Sequence, residues 1–468
     1  MAPYPGFSTP LVGRSAEVTH LGRMLARART GEPAAVLVAG DAGIGKTRLL
    51  AEAAEQAGAA GMTVLTGHCV DLGDVGLPYL PFTEILRTVE TDPRHAPALA
   101  GRLAIERLMR AGGSESGHEH GAPDPGVRLR LFEDVTALLA DLCEQSPVLL
   151  VLEDLQWADQ STRDLLRFLL SRLLARGSGY GDSQRFAVVA SYRSDDLHRR
   201  HPLRPLLAEL IRLPGVERMG LEPMGDDDVA SLVRAIGTGP MSDESVRRIV
   251  ERAEGNAFYA EELRAATADD GFGVPGGLAE VLLTRIEQLS ATAQRVVRTA
   301  AVAGRSVEHR LLRDAVEMPD DELESALREA AGRHLLIAGK DDTYSFRHAL
   351  SREAAYDDLL PGERVRIHGV FARLLGGEGR KADSAAERAY HHRESHNPAG
   401  ALAASLEAAD HAARVGAPVE ELRHLETALD LWDAVSDADK PVDSDDVTLI
   451  LRASAAAVRA GEAHRAVT

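Results

Sequence analysis

Eight residues constrain this chain more than any others: Gly40, Asp41, Ala42, Gly43, Ile44, Gly45, Lys46 and Thr47, a complete G-x-x-x-x-G-K-[ST] pattern. The apolar run AAVLVA before it reads as a buried strand, and TRLLAEAAEQA after it as an amphipathic helix. A strand that turns through glycines into a helix aims backbone amides and a helix N-terminus at one point, which makes a cradle for phosphates. Lys46 can reach the β- and γ-phosphates of a nucleoside triphosphate, and the Thr47 hydroxyl is placed for Mg2+. Arg48, next in the helix, completes this candidate cofactor-binding set. The fold that carries such a turn is an α/β P-loop NTPase, a parallel sheet with helices on both faces.

A phosphate cradle needs acidic groups at the end of a neighbouring strand. PVLLVLED supplies Glu153 and Asp154 about a hundred residues downstream. One carboxylate there can hold a Mg2+ shell and the other can polarise an attacking water. The order Glu-Asp leaves the division of labour open; the favoured reading gives Asp154 the metal shell or the water and Glu153 the other role. Thr47 and Asp154 are then the candidate Mg2+ ligands. Arg193, at the end of the next strand, can sense the γ-phosphate and joins Glu153 and Asp154 as a candidate catalytic residue, with a salt bridge to the aspartates beside it as the alternative. Ser161 and Asp164 have capping-box spacing at the start of the helix STRDLLRFLL, and Trp157 reads as buried against it.

With 468 residues, at roughly 100–200 per domain, the chain has room for two to four domains. Lys and Arg number 53 against 72 Asp and Glu, a formal charge of −19, which speaks against a general nucleic-acid binder because such binding neutralises phosphates with cations. Apolar runs fall far short of the ~20 residues of a membrane span. The opening MAPYPGFSTP has neither the basic nor the apolar region of a secretory signal, so a cytoplasmic protein is expected. The two cysteines, Cys69 and Cys143, form no disulfide framework or Cys-based zinc site and read as reduced core thiols.

Strand patterns at 35–39, 62–66, 148–152 and 187–191 alternate with helical ones, notably 47–56 and 127–144. The Gly- and Ser-rich stretches 111–126, with His118 and His120, and 175–184 read as solvated loops. From about Leu221 helices dominate, beginning with Asp226, Asp227 and Asp228 at a helix start. GFGVPGG at 271–277 reads as a linker, and 334–338 with 344–346 as a hairpin that, after helices, implies a winged helix. After about Lys381 the chain is Ala-rich and helical, with 401–415 paired to 419–435 and then 447–460, as in tetratricopeptide-like (TPR-like) repeats. The expected division is a P-loop domain at 1–220, a helical lid at 221–272, a winged-helix-like domain at 273–380 and TPR-like repeats at 381–468. The last repeat stops at HRAVT, so the chain reads as a fragment of a longer regulator with any helix-turn-helix beyond Thr468.

LVGRSAEV at 11–18, GDAGIGKT, LPYLPF at 77–82, VLLVLEDLQWAD at 148–159, ASYRSDDL at 190–197, EGNAFYAEEL at 254–263, LSATAQRVVRTAAVAGRSVE and FRHALSREAAYDDL follow one another in an order that resembles STAND-class signalling ATPases. In particular they resemble the N-terminal part of large LuxR-type (LAL) transcriptional regulators. The resemblance implies that Gly13 and Arg14 lie on the adenine side of a bound nucleotide and that His348 touches the β-phosphate of ADP. Ala257 stands where the family usually packs a proline on the adenine, and Ala349 where many members have Asp after the histidine. It further implies a switch: ADP clamps the domains together, and ATP opens them and permits homo-oligomers. Slow hydrolysis by Glu153 and Asp154 would time the switch, and the TPR-like helices would bind an inducer or an inhibitory partner. The winged helix would then be a clamp with no direct contact to DNA. Two alternatives stand beside it: a nucleotide-stabilised TPR scaffold without significant hydrolysis, and an initiator-like ATPase that binds DNA through its winged helix. The second needs a basic recognition helix, and HLLIAGKDDTYSFRH with its flanks is not especially basic.

Overall fold

A computed structural model describes residues 11–70, 77–110, 126–174, 184–236, 241–266, 278–339, 342–377, 384–441, 445–462 and 464. Strands β1 (Ala34–Gly40), β2 (Thr63–His68), β3 (Val148–Glu153), β4 (Phe186–Arg193) and β5 (Val216–Gly220) form one parallel sheet in the order β2-β3-β4-β1-β5. Parallel neighbours require crossovers, and the crossover helices cover both faces. Hence every residue of β1, β3 and β4 is buried. Helices Ser15–Arg29 and Lys46–Ala59 seal one face with Leu21, Leu25, Leu49 and Leu50. Helices Leu80–Thr91, Gly126–Gln145, Gln160–Leu173 and Leu203–Leu210 seal the other with Phe82, Leu139, Leu165 and Leu206. Cys69 and Cys143 are unpaired thiols within that second layer.

The four expected strands are present with ends shifted by one or two residues. β5 was not anticipated: VERMG carries Glu217 and Arg218, and as an edge strand it shows no apolar run to read. The register does the positioning. Gly40 of β1 pairs with Arg193 of β4, and His68 of β2 with Glu153 of β3, so four polar or turn residues end together at the sheet's C-terminal edge.

Asp159, rather than Ser161, caps helix Gln160–Leu173 by accepting from the Thr162 amide at 2.8 Å. The capping-box spacing misled because Ser161 already lies inside the helix, where its polar atoms bond elsewhere. Gly225 occupies the N-cap of helix Asp226–Ala235, so its three aspartates sit in the first turn and favour the helix dipole without capping. That helix bundles with Asp243–Ala253 and Ala257–Ala266 around Val229, Val246, Ile249 and Leu263. The expected linker 271–277 lies outside the described residues, as do nearly all of the expected loops 111–126 and 175–184, with His118 and His120.

Helices Leu278–Glu287, Ala291–Ala303, His309–Val316 and Asp320–Gly332 follow, with a three-stranded antiparallel sheet in the order β6 (Ser306–Glu308), β8 (Thr343–Phe346), β7 (Leu336–Ala338). The expected hairpin is β7 and β8. β6 is a third strand too short to show a pattern, and His334, with φ of +57°, precedes β7 instead of belonging to it. After helix Ala349–Asp357, helices Pro361–Leu375, Ser384–Glu394, Pro398–Arg414, Pro418–Trp432 and Asp446–Ala460 each pack on the next. This array folds back on the parallel sheet's own layer: Ala412, Val415 and Ala417 join its core, and the Tyr79 hydroxyl donates to the Gly416 carbonyl at 3.2 Å. Among the described residues no helix is long and apolar enough to cross a membrane.

Candidate functional site

The loop after β1 turns through Gly43 and Gly45, at φ of +78° and +103°, where a side chain would be strained. Lys46 folds over the loop, its Nζ donating to the Gly40 and Asp41 carbonyls, each at 2.8 Å. Burial pulls its ammonium down to about 8, against the attraction of Asp154. Gly43 is also needed for space, because a Cβ there would lie 2.6 Å from Asn256 Oδ1. Asn256 Nδ2 donates to the Ala42 carbonyl at 2.9 Å, and the Phe258 amide to the Gly43 carbonyl at 3.0 Å. The start of helix Ala257–Ala266 is thereby stitched to the cradle. Arg14 braces it from the other side, donating to the Ile44 and Glu222 carbonyls at 3.2 and 2.8 Å, while Gly13 lies against Asp228.

Glu153, not Asp154, accepts the Thr47 hydroxyl, at 2.8 Å. Glu153 is fully buried, with His68 Nε2 at 3.6 Å from its second oxygen and the Arg305 guanidinium 3.5 Å from its first. Burial opposes charge on Glu153, yet His68, Arg305 and Thr47 outweigh it and hold the carboxyl well below the usual range. His68 also meets Glu84 at 3.0 Å. Burial alone would lower His68, but the two carboxylates raise it to about 9, so it is charged at neutral pH. Asp154, at φ of +58°, donates its amide to Ser191 Oγ at 3.1 Å and accepts from Gln156 at 3.1 Å and Arg305 at 3.0 Å. Hydroxyl and carboxylate oxygens are the donors a hard cation such as Mg2+ takes, and Glu153 Oε1 is buried with no hydrogen bond of its own. These residues fit the ion.

Arg193 donates its amide to Gln156 Oε1 at 3.0 Å and lays its guanidinium over the half-buried Trp157 ring at 4.7 Å. Its nearer ion-pair partner is Glu353 at 3.3 Å; of the aspartates beside it, Asp196 stands at 3.7 Å. His348 packs on the Phe258 ring at 4.3 Å, and its buried Nε2 takes no hydrogen bond. Burial pushes its imidazole down to about 3, so its 3.8 Å approach to Glu261 is not an ion pair at neutral pH. Burial also pushes the Glu261 carboxyl up to about 7.

Arg14, Ala42, Gly43, Ile44, Gly45, Lys46, Thr47, Arg48, Asp154, Arg193, Ala257 and His348 line one cavity; Gly13, Gly40, Asp41 and Glu153 do not. Sequence reasoning missed Phe258, Glu261, Arg305 and Arg347 in its wall, and an apolar end formed by Leu11, Val12, Met224 and Leu232. It also missed His68, which could have been noticed as the polar last residue of a strand.

Residues 10–179 match the family model described as AAA ATPase domain. An uncharacterized protein of Rhizobium meliloti (strain 1021) is 27% identical, the match covering 92% of this chain and 43% of that protein. The crystal structure of a STAND (signal transduction ATPase with numerous domains) protein with a tetratricopeptide repeat sensor, from Pyrococcus horikoshii, is similar with a TM-score of 0.53 at 14% identity. It covers 99% of this chain and 65% of that one. The Aeropyrum pernix ORC1 protein in complex with DNA matches with a TM-score of 0.33 at 16% identity, over 75% of this chain and 94% of that one. The chain thus spans less than half the length of the Rhizobium relative and under two thirds of the Pyrococcus structure. Residues 10–179 thus match an AAA ATPase domain on a parallel-sheet P-loop fold followed by a helical region, and the fold as a whole is similar to that of the Pyrococcus protein.

Proposed function

We propose that the chain is the sensing and switching part of a STAND-type regulator in the cytoplasm, closed with ADP, opened by ATP and slow to hydrolyse it. The observation that carries this reading is the convergence on one cavity of the P-loop, Ala257 and Phe258 of the helical bundle that follows β5, and Arg305 and His348 of the unit after it. A nucleotide there would touch all three at once, so the difference between its di- and triphosphate forms could bias their packing. Lys46 and the loop amides would hold the phosphates. Mg2+ would neutralise phosphate charge, with Thr47 and Glu153 supporting its shell. In this reading Glu153 takes the place of Asp154 as candidate metal ligand, leaving Asp154 to orient the attacking water and Arg193 to meet the γ-phosphate. His348, neutral and with no hydrogen bond at Nε2, would donate from that atom to a β-phosphate oxygen.

The unit spanning residues 278–377 is read as a winged helix that clamps and does not read DNA. Its helix Asp320–Gly332 opens with Asp320, Asp321 and Glu322 and carries Glu324 and Glu329 as well, a predominantly acidic helix unsuited to meeting phosphates. The later helices are read as a TPR-like array for an inducer or inhibitory protein, in a longer LuxR-type regulator that self-associates with ATP.

The test is the nucleotide released from denatured purified protein, together with ADP binding by wild type and Lys46→Ala. Co-purified ADP and a loss of binding of about ten- to a hundredfold in the variant are expected, given that a hydrogen bond to a charged group is worth about 1.5–3 kcal/mol. Equal binding by the two proteins would sink the reading.

A further inference from the structure

The two carboxylates of the site are answered by a cation from far along the chain. Arg305 follows Gly304 at the end of helix Ala291–Ala303, and its carbonyl accepts the Phe346 amide at 3.0 Å, which fixes it to β8 just before His348. Its guanidinium donates to Asp154 Oδ2 at 3.0 Å and stands 3.5 Å from Glu153 Oε2. That Glu153 oxygen is the one that accepts the Thr47 hydroxyl. One guanidinium therefore already answers an oxygen of each of the two carboxylates on which a divalent cation would draw. A divalent cation drawing on these carboxylates would place two like charges side by side, and the Arg305 guanidinium and the metal would repel each other there.

The same unit also supplies the reverse charge. Glu353, in the helix that begins directly after His348, pairs with Arg193 at 3.3 Å. One cation and one anion are thus exchanged across a single interface, each matched to a residue of the ATPase domain.

We propose that Arg305 is an internal counter-cation that competes with the divalent metal for Glu153 and Asp154. Metal arriving with nucleotide displaces it and frees β6 and β8 from the edge of the parallel sheet. This rests on the nucleotide reading above and adds its regulation: the clamp is sensitive to the metal as well as to the number of phosphates. A site blocked by its own arginine shows an apparent metal affinity reduced by the fraction of time it is open.

Mn2+ is titrated onto the ADP-loaded chain, with free metal read by electron paramagnetic resonance. Arg305→Gln should bind Mn2+ about tenfold more tightly than wild type, as expected if the clamp is shut roughly nine-tenths of the time, and Arg305→Lys should stay near wild type. An unchanged or weaker midpoint in Arg305→Gln overturns the competition while leaving the nucleotide reading intact. A chain that binds no ADP overturns both. Should Arg305→Gln not fold, wild type still decides: Mn2+ must raise hydrogen exchange at Ser306–Glu308, and unchanged exchange there rejects the displacement.

Discussion

Glu420 caps a helix that belongs to another part of the molecule: its carboxylate accepts the Ser161 hydroxyl at 2.6 Å and the Gln160 and Ser161 amides at 2.9 and 3.2 Å. Both Glu420 and Ser161 are almost fully buried. Helix Gln160–Leu173 follows the Glu153-Asp154 turn with a single short 3-10 turn between them. The helical array is therefore joined to the segment that shapes the acidic site, through the free amides of a helix N-terminus. Anything that pulls on helix Pro418–Trp432 pulls on that segment.

Replacing Glu420 by Ala should release this joint. It leaves a buried hydroxyl and two amides without an acceptor, a cost of about 1–3 kcal/mol for each unsatisfied group that water cannot reach. The expected outcome is faster hydrogen exchange at residues 155–162 and 412–420 with little change in overall helix content. Unaltered exchange in both segments would show that Glu420 is not the joint.

Asp159 makes the same joint respond to pH. Burial and then the nearby Glu420 push its carboxyl up to about 7, from an ordinary value of 3.8. Between those values the folded chain keeps a proton that the unfolded chain gives up. Stability therefore falls as pH rises across this window and levels off above about 7. Arg163, with the Thr162 hydroxyl and amide, moderates the effect without reversing it. Protection from exchange at residues 155–162 should be greater at pH 5 than at pH 7.5, and Glu420→Gln should move the transition to lower pH. The opposite slope would refute the assignment.

Arg193 and Glu353 make two predictions of opposite sign. Arg193→Ala should lower single-turnover ATP hydrolysis about a hundredfold while ADP binding stays within a few-fold, as for loss of a charge that acts only on the transferring phosphoryl group. Glu353→Gln should raise the rate by a few-fold, because Arg193 is then held by the Trp157 ring and the more distant Asp196 alone. Parallel changes in the two variants would mean that the pair is merely structural.

The P-loop and the acidic strand were legible because their chemistry is local. A glycine turn between an apolar strand and a helix, and a buried run ending in two carboxylates, each announce themselves within a dozen residues. Arg305 and Glu353 could not be read that way. Each is an ordinary charged residue in its own neighbourhood and gains its partner only when units more than 150 residues apart pack together. Glu420 is a stronger case, 259 residues from the serine it bonds. The division between Glu153 and Asp154 was also beyond the sequence, since both end the same strand. In the structure Glu153 faces Thr47 as the last residue of the strand, while Asp154 already lies in a left-handed turn.

The junction between helices Pro361–Leu375 and Ser384–Glu394 holds a second pH-sensitive contact, with the opposite slope. His368 and His391 meet through their Nδ1 atoms at 2.8 Å, so one ring must donate and the other accept. The Tyr356 hydroxyl stands 3.0 Å from His368 Nε2, and His391 stacks on Phe371 at 5.3 Å. Burial, with Arg364 beside one ring and His392 beside the other, pushes the imidazoles down to about 4 for His368 and about 3 for His391. Both pKa values lie below the 6.5 of an unfolded histidine, so the stability they allow is present above pH 6.5 and lost as pH falls toward 4. His391→Phe keeps a ring on Phe371 but removes the bond and one proton-binding site. It should cost about 1 kcal/mol at pH 7.5, the net worth of a hydrogen bond, and should flatten the decline of Tm between pH 6.5 and 4.5. Equal slopes for wild type and variant would mean that the acid sensitivity of the fold arises elsewhere.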